Sequence, residues 1–113
     1  MNETERAANP IGTEMIFEDD RVRIWTIDLA PGEEAPFHTH LLDYTTVTIE
    51  GDMVERINAD GSRDRIAAQP GAVSRWYQST QRHGLKNVGS RRFRNVIVEV
   101  KSLPADFGER SAG

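Results

Sequence analysis

No long segment of the chain places apolar residues at i, i+3, i+4 and i+7, the repeat of an amphipathic helix. Short runs rich in β-branched and aromatic residues recur instead between clusters of Gly, Pro, Asn and Asp, the pattern of strands joined by turns. We read strands over residues 15–17, 22–29, 35–40, 44–50, 53–58, 63–67, 72–77, 84–88 and 92–102. Turn-forming clusters separate them at Ala30-Pro31-Gly32, Glu50-Gly51-Asp52, Asn58-Ala59-Asp60-Gly61, Gln69-Pro70-Gly71 and Asn87-Val88-Gly89-Ser90, with Asp60-Gly61 the clearest hairpin. Many short strands in so small a chain predict an all-β closed barrel or two-sheet sandwich, which also limits exposed sheet edges. The expected core is Trp25, Ile27, Leu29, Val47, Ile49, Val96, Val98 and Val100. Residues 1–10 and 104–113 are polar or small and read as tails around a folded unit of 11–103.

Composition narrows the classes. A chain of 113 residues, 37% hydrophobic and 28% charged, supports one compact domain. Its 14 basic and 18 acidic residues give a formal charge of −4, and the basic ones are scattered, so no nucleic-acid partner is expected. No apolar run approaches the roughly 20 residues needed to cross a bilayer, and the first residues are acidic where a signal peptide would be basic. We expect a cytoplasmic protein with no membrane partner. The absence of cysteine removes disulfides, thiolate ligands and a cysteine nucleophile, leaving histidine and carboxylate as transition-metal ligands.

Those ligands have a pattern. On a strand, the spacing of His38 and His40 puts both imidazoles on one face, close enough to share an ion, although a lone pair of this kind also fits two solvated histidines. The surroundings add to it. Gly32, five residues, His38-Thr39-His40, three residues, Tyr44, six residues and Gly51 resemble the first cupin motif at full spacing. Gly71, and then His83 followed after three residues by Asn87, resemble part of the second, with one extra residue before His83. The two blocks span most of residues 32–87, and the short interval between them is similar to that of small single-domain cupins.

The resemblance implies a single-domain cupin β-barrel, that is, a double-stranded β-helix of jelly-roll type, holding one divalent transition metal on His38, His40 and His83. Fe(II) is favoured by analogy with three-histidine members such as the cysteine dioxygenase-like and acetylacetone dioxygenase-like enzymes; Zn, Ni, Mn and Cu also accept imidazole. Two departures stand out. Tyr44 occupies the position of the family's usual glutamate ligand, and the usual Pro-x-Gly turn before the last histidine is missing, with Tyr77 and Ser79 nearby. The resemblance also implies a homodimer, because small cupins commonly pair edge strands and bury an apolar sheet face.

Three neutral imidazoles leave the ion's charge uncompensated and up to three positions open, which favours an anionic or chelating small-molecule substrate. Tyr44 shares the inward parity of the histidines and is our candidate catalytic residue, donating a hydrogen bond to a bound oxygen; equally it could only fill the interior. Arg75 and Tyr77 form a carboxylate-binding pair if their face points inward, and are the candidate substrate-binding residues. Residue type prefers the opposite arrangement, with Trp76 in the core and Arg75 in solvent. Glu50 and Glu55 read as surface charge, Arg91-Arg92 as a solvated turn and Asn87 as a turn-fixing residue.

The leading functional expectation is a non-haem Fe(II) dioxygenase acting on a small carboxylate or dicarbonyl compound. A metal-dependent isomerase, lyase or hydratase, and a non-catalytic binding cupin with a structural metal, are the alternatives. Since each histidine must be neutral to bind, metal affinity is expected to fall below the ordinary histidine pKa of about 6.5.

Overall fold

The computed structural model describes residues 14–77 and 82–101. The expected tails, and Ser79, lie outside the described residues. Among the described residues eight strands form: β1 (Glu14–Glu18), β2 (Val22–Leu29), β3 (Glu34–Thr39), β4 (Asp43–Glu50), β5 (Met53–Asn58), β6 (Arg63–Ala67), β7 (Arg82–Asn87) and β8 (Phe93–Val100). They make two antiparallel four-stranded sheets, ordered β1-β2-β8-β4 and β3-β7-β5-β6. No helix long and apolar enough to cross a membrane occurs among the described residues.

β8 is the spine of the first sheet. It pairs with β2 without a register shift from Val22 opposite Val100 to Leu29 opposite Phe93. Burial alternates strictly along β2, so Arg23, Trp25, Ile27 and Leu29 face inward. Trp25, Ile27 and Leu29 join Tyr44, Val54, Phe93 and Ile97 in the core, each fully buried apolar side chain contributing about 1.5–3 kcal/mol.

The rest of the expected core is corrected. On β8 the inward residues are Phe93, Asn95, Ile97 and Glu99, whereas Val96, Val98 and Val100 point outward and are half-buried. On β4, Val47 is half-buried and Ile49 is 48% exposed. Val96, Ile97 and Val98 run consecutively, so hydrophobicity did not distinguish the two faces of β8; the face carrying Asn95 and Glu99 turns inward, where Trp25 Nε1 donates to Glu99 at 2.7 Å. Residues 72–77 are also not a strand. Two isolated bridges, Val47 to Val73 and Tyr44 to Tyr77, and single backbone bonds from Thr48 N–H to the Ala72 carbonyl and from Ser74 N–H to the Thr46 carbonyl tie them to β4 without forming a continuous strand. Between those bridges the Thr46 N–H donates to Ser74 Oγ at 3.0 Å rather than to a carbonyl, which interrupts the ladder.

Two turns behave as read. The Asp60-Gly61 hairpin joins β5 and β6, whose register runs from Met53 opposite Ala67 to Ile57 opposite Arg63, with Gly61 at φ 89°. Gly51 sits at φ 140°, and a Cβ there would lie 2.9 Å from a Phe93 ring carbon and 3.3 Å from the Ala68 Cβ. Conformation and space both demand glycine at this point.

Candidate metal centre

β3 and β7 are neighbours, and their register sets His38 directly opposite His83. Direct cross-strand partners project to the same face, so two histidines 45 residues apart meet inside the barrel. His40 follows one residue beyond the end of β3. The three Nε2 atoms converge, with His38 3.0 Å from His40, and His83 3.2 Å from each. All three rings are buried, at 2%, 1% and 8% exposure for His38, His40 and His83.

This arrangement fits a metal. His38 Nδ1 lies 3.0 Å from the Pro36 carbonyl, which can only accept, so Nδ1 carries the proton and the Nε2 lone pair faces the other two rings. Three nitrogens about 2.1 Å from one ion would stand about 3.0 Å apart at right angles and about 3.4 Å apart in a tetrahedron. The observed spacings of 3.0, 3.2 and 3.2 Å lie nearer the right-angled value. Ligation also needs neutral imidazoles. Burial lowers all three: His40 to about 2, with its two neighbouring histidines and Arg56 adding to the effect, and His83 to about 3, with help from Arg56 and His38. For His38 burial again dominates, opposed by the Pro36 carbonyl.

Tyr44 lies flat on His40, ring centroids 3.7 Å apart and planes within 12°. Burial pushes its phenol up to about 12 against the opposing pull of Arg56, so it stays protonated and able to donate. Its other face stacks on Tyr77 at 5.0 Å, and the two residues exchange backbone hydrogen bonds of 3.0 and 2.7 Å. Tyr77 in turn carries two guanidinium groups over its ring, Arg75 at 4.9 Å and Arg56 at 5.4 Å.

These groups line one cavity of about 410 Å³ that includes the three histidines, Arg56 and Arg75, and, among the described residues, no carboxylate. Arg75 and Tyr77 therefore face the cavity, while Trp76 is 57% exposed; the placement of Trp76 in the core is corrected. The bridge that pairs Tyr77 with inward-facing Tyr44 fixes that parity, overriding residue type. Glu50 and Glu55 stay outside the site, paired with Arg94 and with Arg63 and Arg65. Asn87 is fully buried and ties its turn, its Nδ2 donating to the Leu29 and Arg91 carbonyls. Arg56 is a cavity residue the sequence reading missed, although the alternation of β5 already groups it with inward-facing Val54.

Glu99 was also missed. It is 1% exposed and accepts a 2.7 Å hydrogen bond from Trp25 Nε1, with Arg23 Nη1 at 3.8 Å and His40 Nδ1 at 3.9 Å. Burial raises its carboxyl above the ordinary range, opposed by Trp25 and Arg23.

No protein-family profile matches the sequence, and no curated protein is significantly similar to it. Solved structures are similar in fold. A cupin domain from Bordetella pertussis Tohama I superposes with a TM-score of 0.70 at 20% identity, over 80% of this chain and 97% of its own. An RmlC-like cupin with a double-stranded β-helix fold from Methanocaldococcus jannaschii gives 0.65 at 18% identity, over 77% and 76%. A double-stranded β-helix protein from Klebsiella pneumoniae gives 0.63 at 21%, over 88% and 83%. With its two four-stranded sheets and the histidine cluster between them, this chain has the double-stranded β-helix fold of the cupins.

Proposed function

We propose that the protein is a small metal-dependent enzyme in which His38, His40 and His83 hold one divalent transition metal, Fe(II) by preference, and that it acts as a dioxygenase on a small carboxylate or dicarbonyl substrate. The observation that carries this reading is the convergence of three buried Nε2 atoms, 3.0–3.2 Å apart, in a cavity to which the described residues contribute no carboxylate. An iron bound there would offer open positions for a chelating substrate and dioxygen side by side.

The chain's own residues supply binding and proton control. Arg56 and Arg75, held over Tyr77, make the cavity attractive to an anion. The protonated Tyr44 phenol is the group available to hydrogen-bond a ligand oxygen as negative charge develops on it. Apolar walls from Ile27, Val54, Leu85 and Ile97 limit water around the reacting atoms. With zinc, the same residues would serve hydration, isomerisation or lyase chemistry, and oxygen independence would identify that case.

Elemental analysis of untagged protein beside His83→Ala, followed by oxygen uptake after anaerobic Fe(II) loading, tests the proposal. We expect near-stoichiometric metal, lost in the variant, and substrate-dependent oxygen uptake across a panel of small carboxylates and dicarbonyls. Protein that takes up no divalent ion, or turnover that is the same without oxygen, would sink it. We also propose a homodimer, in which a second copy covers the outer face of the β1-β2-β8-β4 sheet, where Ile24, Val47, Val96, Val98 and Val100 are only half-buried. Sedimentation as a monomer at micromolar concentration would reject it.

A further inference from the structure

The three imidazoles differ in what holds their outer edge. His38 Nδ1 donates to the Pro36 carbonyl. The Nδ1 atoms of His40 and His83 are buried and have no hydrogen-bond partner among the described residues. A buried ring without an acceptor at Nδ1 gains nothing by keeping its proton there, and the other tautomer would put that proton on Nε2 and block ligation.

For His40 the structure offers an acceptor. Glu99 Oε1 is anchored by the Trp25 indole at 2.7 Å, which leaves Oε2 directed at His40 Nδ1, 3.9 Å away. Ring and carboxylate need to close by about 1 Å to reach the length of a charge-assisted hydrogen bond. Glu99 belongs to a strand with valines on its other face and Ile97 beside it, so a carboxylate there is costly to bury and calls for a reason. Arg23, fully buried, supplies a counter-charge at 3.8 Å, yet its Nε is already committed to Glu18 at 3.0 Å.

We propose that Glu99 is the outer-sphere carboxylate of the metal centre. It accepts from His40 Nδ1–H, holds that ring in the tautomer that gives its Nε2 lone pair to the ion, and restores the negative charge that Tyr44 does not supply. Glu99 is thus a positioning residue acting through His40. The inference rests on the three histidines holding a metal.

The test is zinc binding against a competing chelator, with 1H–15N NMR of the imidazoles, on the full chain and on Glu99→Gln. Zinc is chosen because it is diamagnetic. In the zinc-loaded wild type we expect a slowly exchanging His40 Nδ1–H signal, and in Glu99→Gln a loss of roughly 10–100-fold in zinc affinity together with fast exchange of that signal. The His38 signal, tied to Pro36, stays unchanged and serves as the internal reference. A folded Glu99→Gln that binds zinc as the wild type does, with the His40 signal unmoved, would mean that Glu99 only accompanies Arg23 and Trp25, and the proposal falls. Where Glu99→Gln does not fold, Arg23→Met with Glu99→Gln removes both buried charges together. The wild-type signal decides independently: exchange at the rate of an exposed imidazole overturns the proposal. Wild type that takes up no zinc overturns the metal reading itself, before any variant is needed.

Discussion

Tyr44 and Glu99 stand directly opposite each other where β4 pairs with β8, and both reach His40. The phenol ring covers the imidazole face at 3.7 Å, and the carboxylate lies 3.9 Å from its Nδ1 edge. An aromatic ring has taken the ligand position that related motifs give to glutamate, while a glutamate occupies the paired position on the next strand. If a metal is bound as proposed, its protein ligands are the three histidines.

Tyr44→Phe separates chemistry from packing. The variant keeps the ring that stacks between His40 and Tyr77, so metal content and thermal stability should match the wild type. If the phenol donates to a reacting oxygen, kcat should fall by roughly 100-fold or more at equal metal loading. Unchanged kcat would assign Tyr44 to packing alone.

Arg56→Ala and Arg75→Ala should weaken anionic ligands. Each removes one guanidinium from the Tyr77 ring, and loss of a charge-assisted hydrogen bond worth about 1.5–3 kcal/mol raises KM roughly 10–100-fold. Titration with a panel of anionic and neutral analogues checks this. Equal losses for neutral analogues would point to cavity shape instead.

The histidines make metal-free protein acid-sensitive. Their folded pKa values are depressed below the unfolded value of about 6.5, so the unfolded chain binds more protons as pH falls. Their contribution is fully present above pH 6.5 and is lost as pH falls toward about 3 for His83 and about 2 for His40. Urea denaturation between pH 7 and 4 should show stability falling by up to about 1.4 kcal/mol per pH unit for each titrating histidine. The same burial lowers the pKa of all three rings, so while the chain stays folded proton competition for the metal should set in below pH 6.5. Zinc titrations between pH 7 and pH 5 check this, and a tenfold loss per unit starting at 6.5 itself would count against the burial of the rings.

Gly51→Ala should destabilise the barrel. A Cβ at φ 140° meets Phe93 at 2.9 Å, and we expect a loss of about 1–3 kcal/mol by chemical denaturation. A smaller loss would mean that the turn relaxes and Phe93 moves aside.

Much of this protein is legible in one dimension. Period-two patterning and turn residues located β2, β5 and β6 to the residue, and most other strands to within one or two, because these signals are local. The spacing of His38 and His40, with Gly51 at a turn that only glycine fits, pointed to the site for the same reason. Tertiary structure decided the rest. The pairing of β3 with β7 brings His83 to His38, and the bridge between Tyr44 and Tyr77 turns Trp76 outward and Arg75 toward the cavity. The inward face of β8 was likewise settled by partners distant in the chain: Glu99 is tolerated inside because Trp25, 74 residues away, donates to it. A buried polar group is stabilised by the donor it meets, and that donor is known only once the sheets have closed.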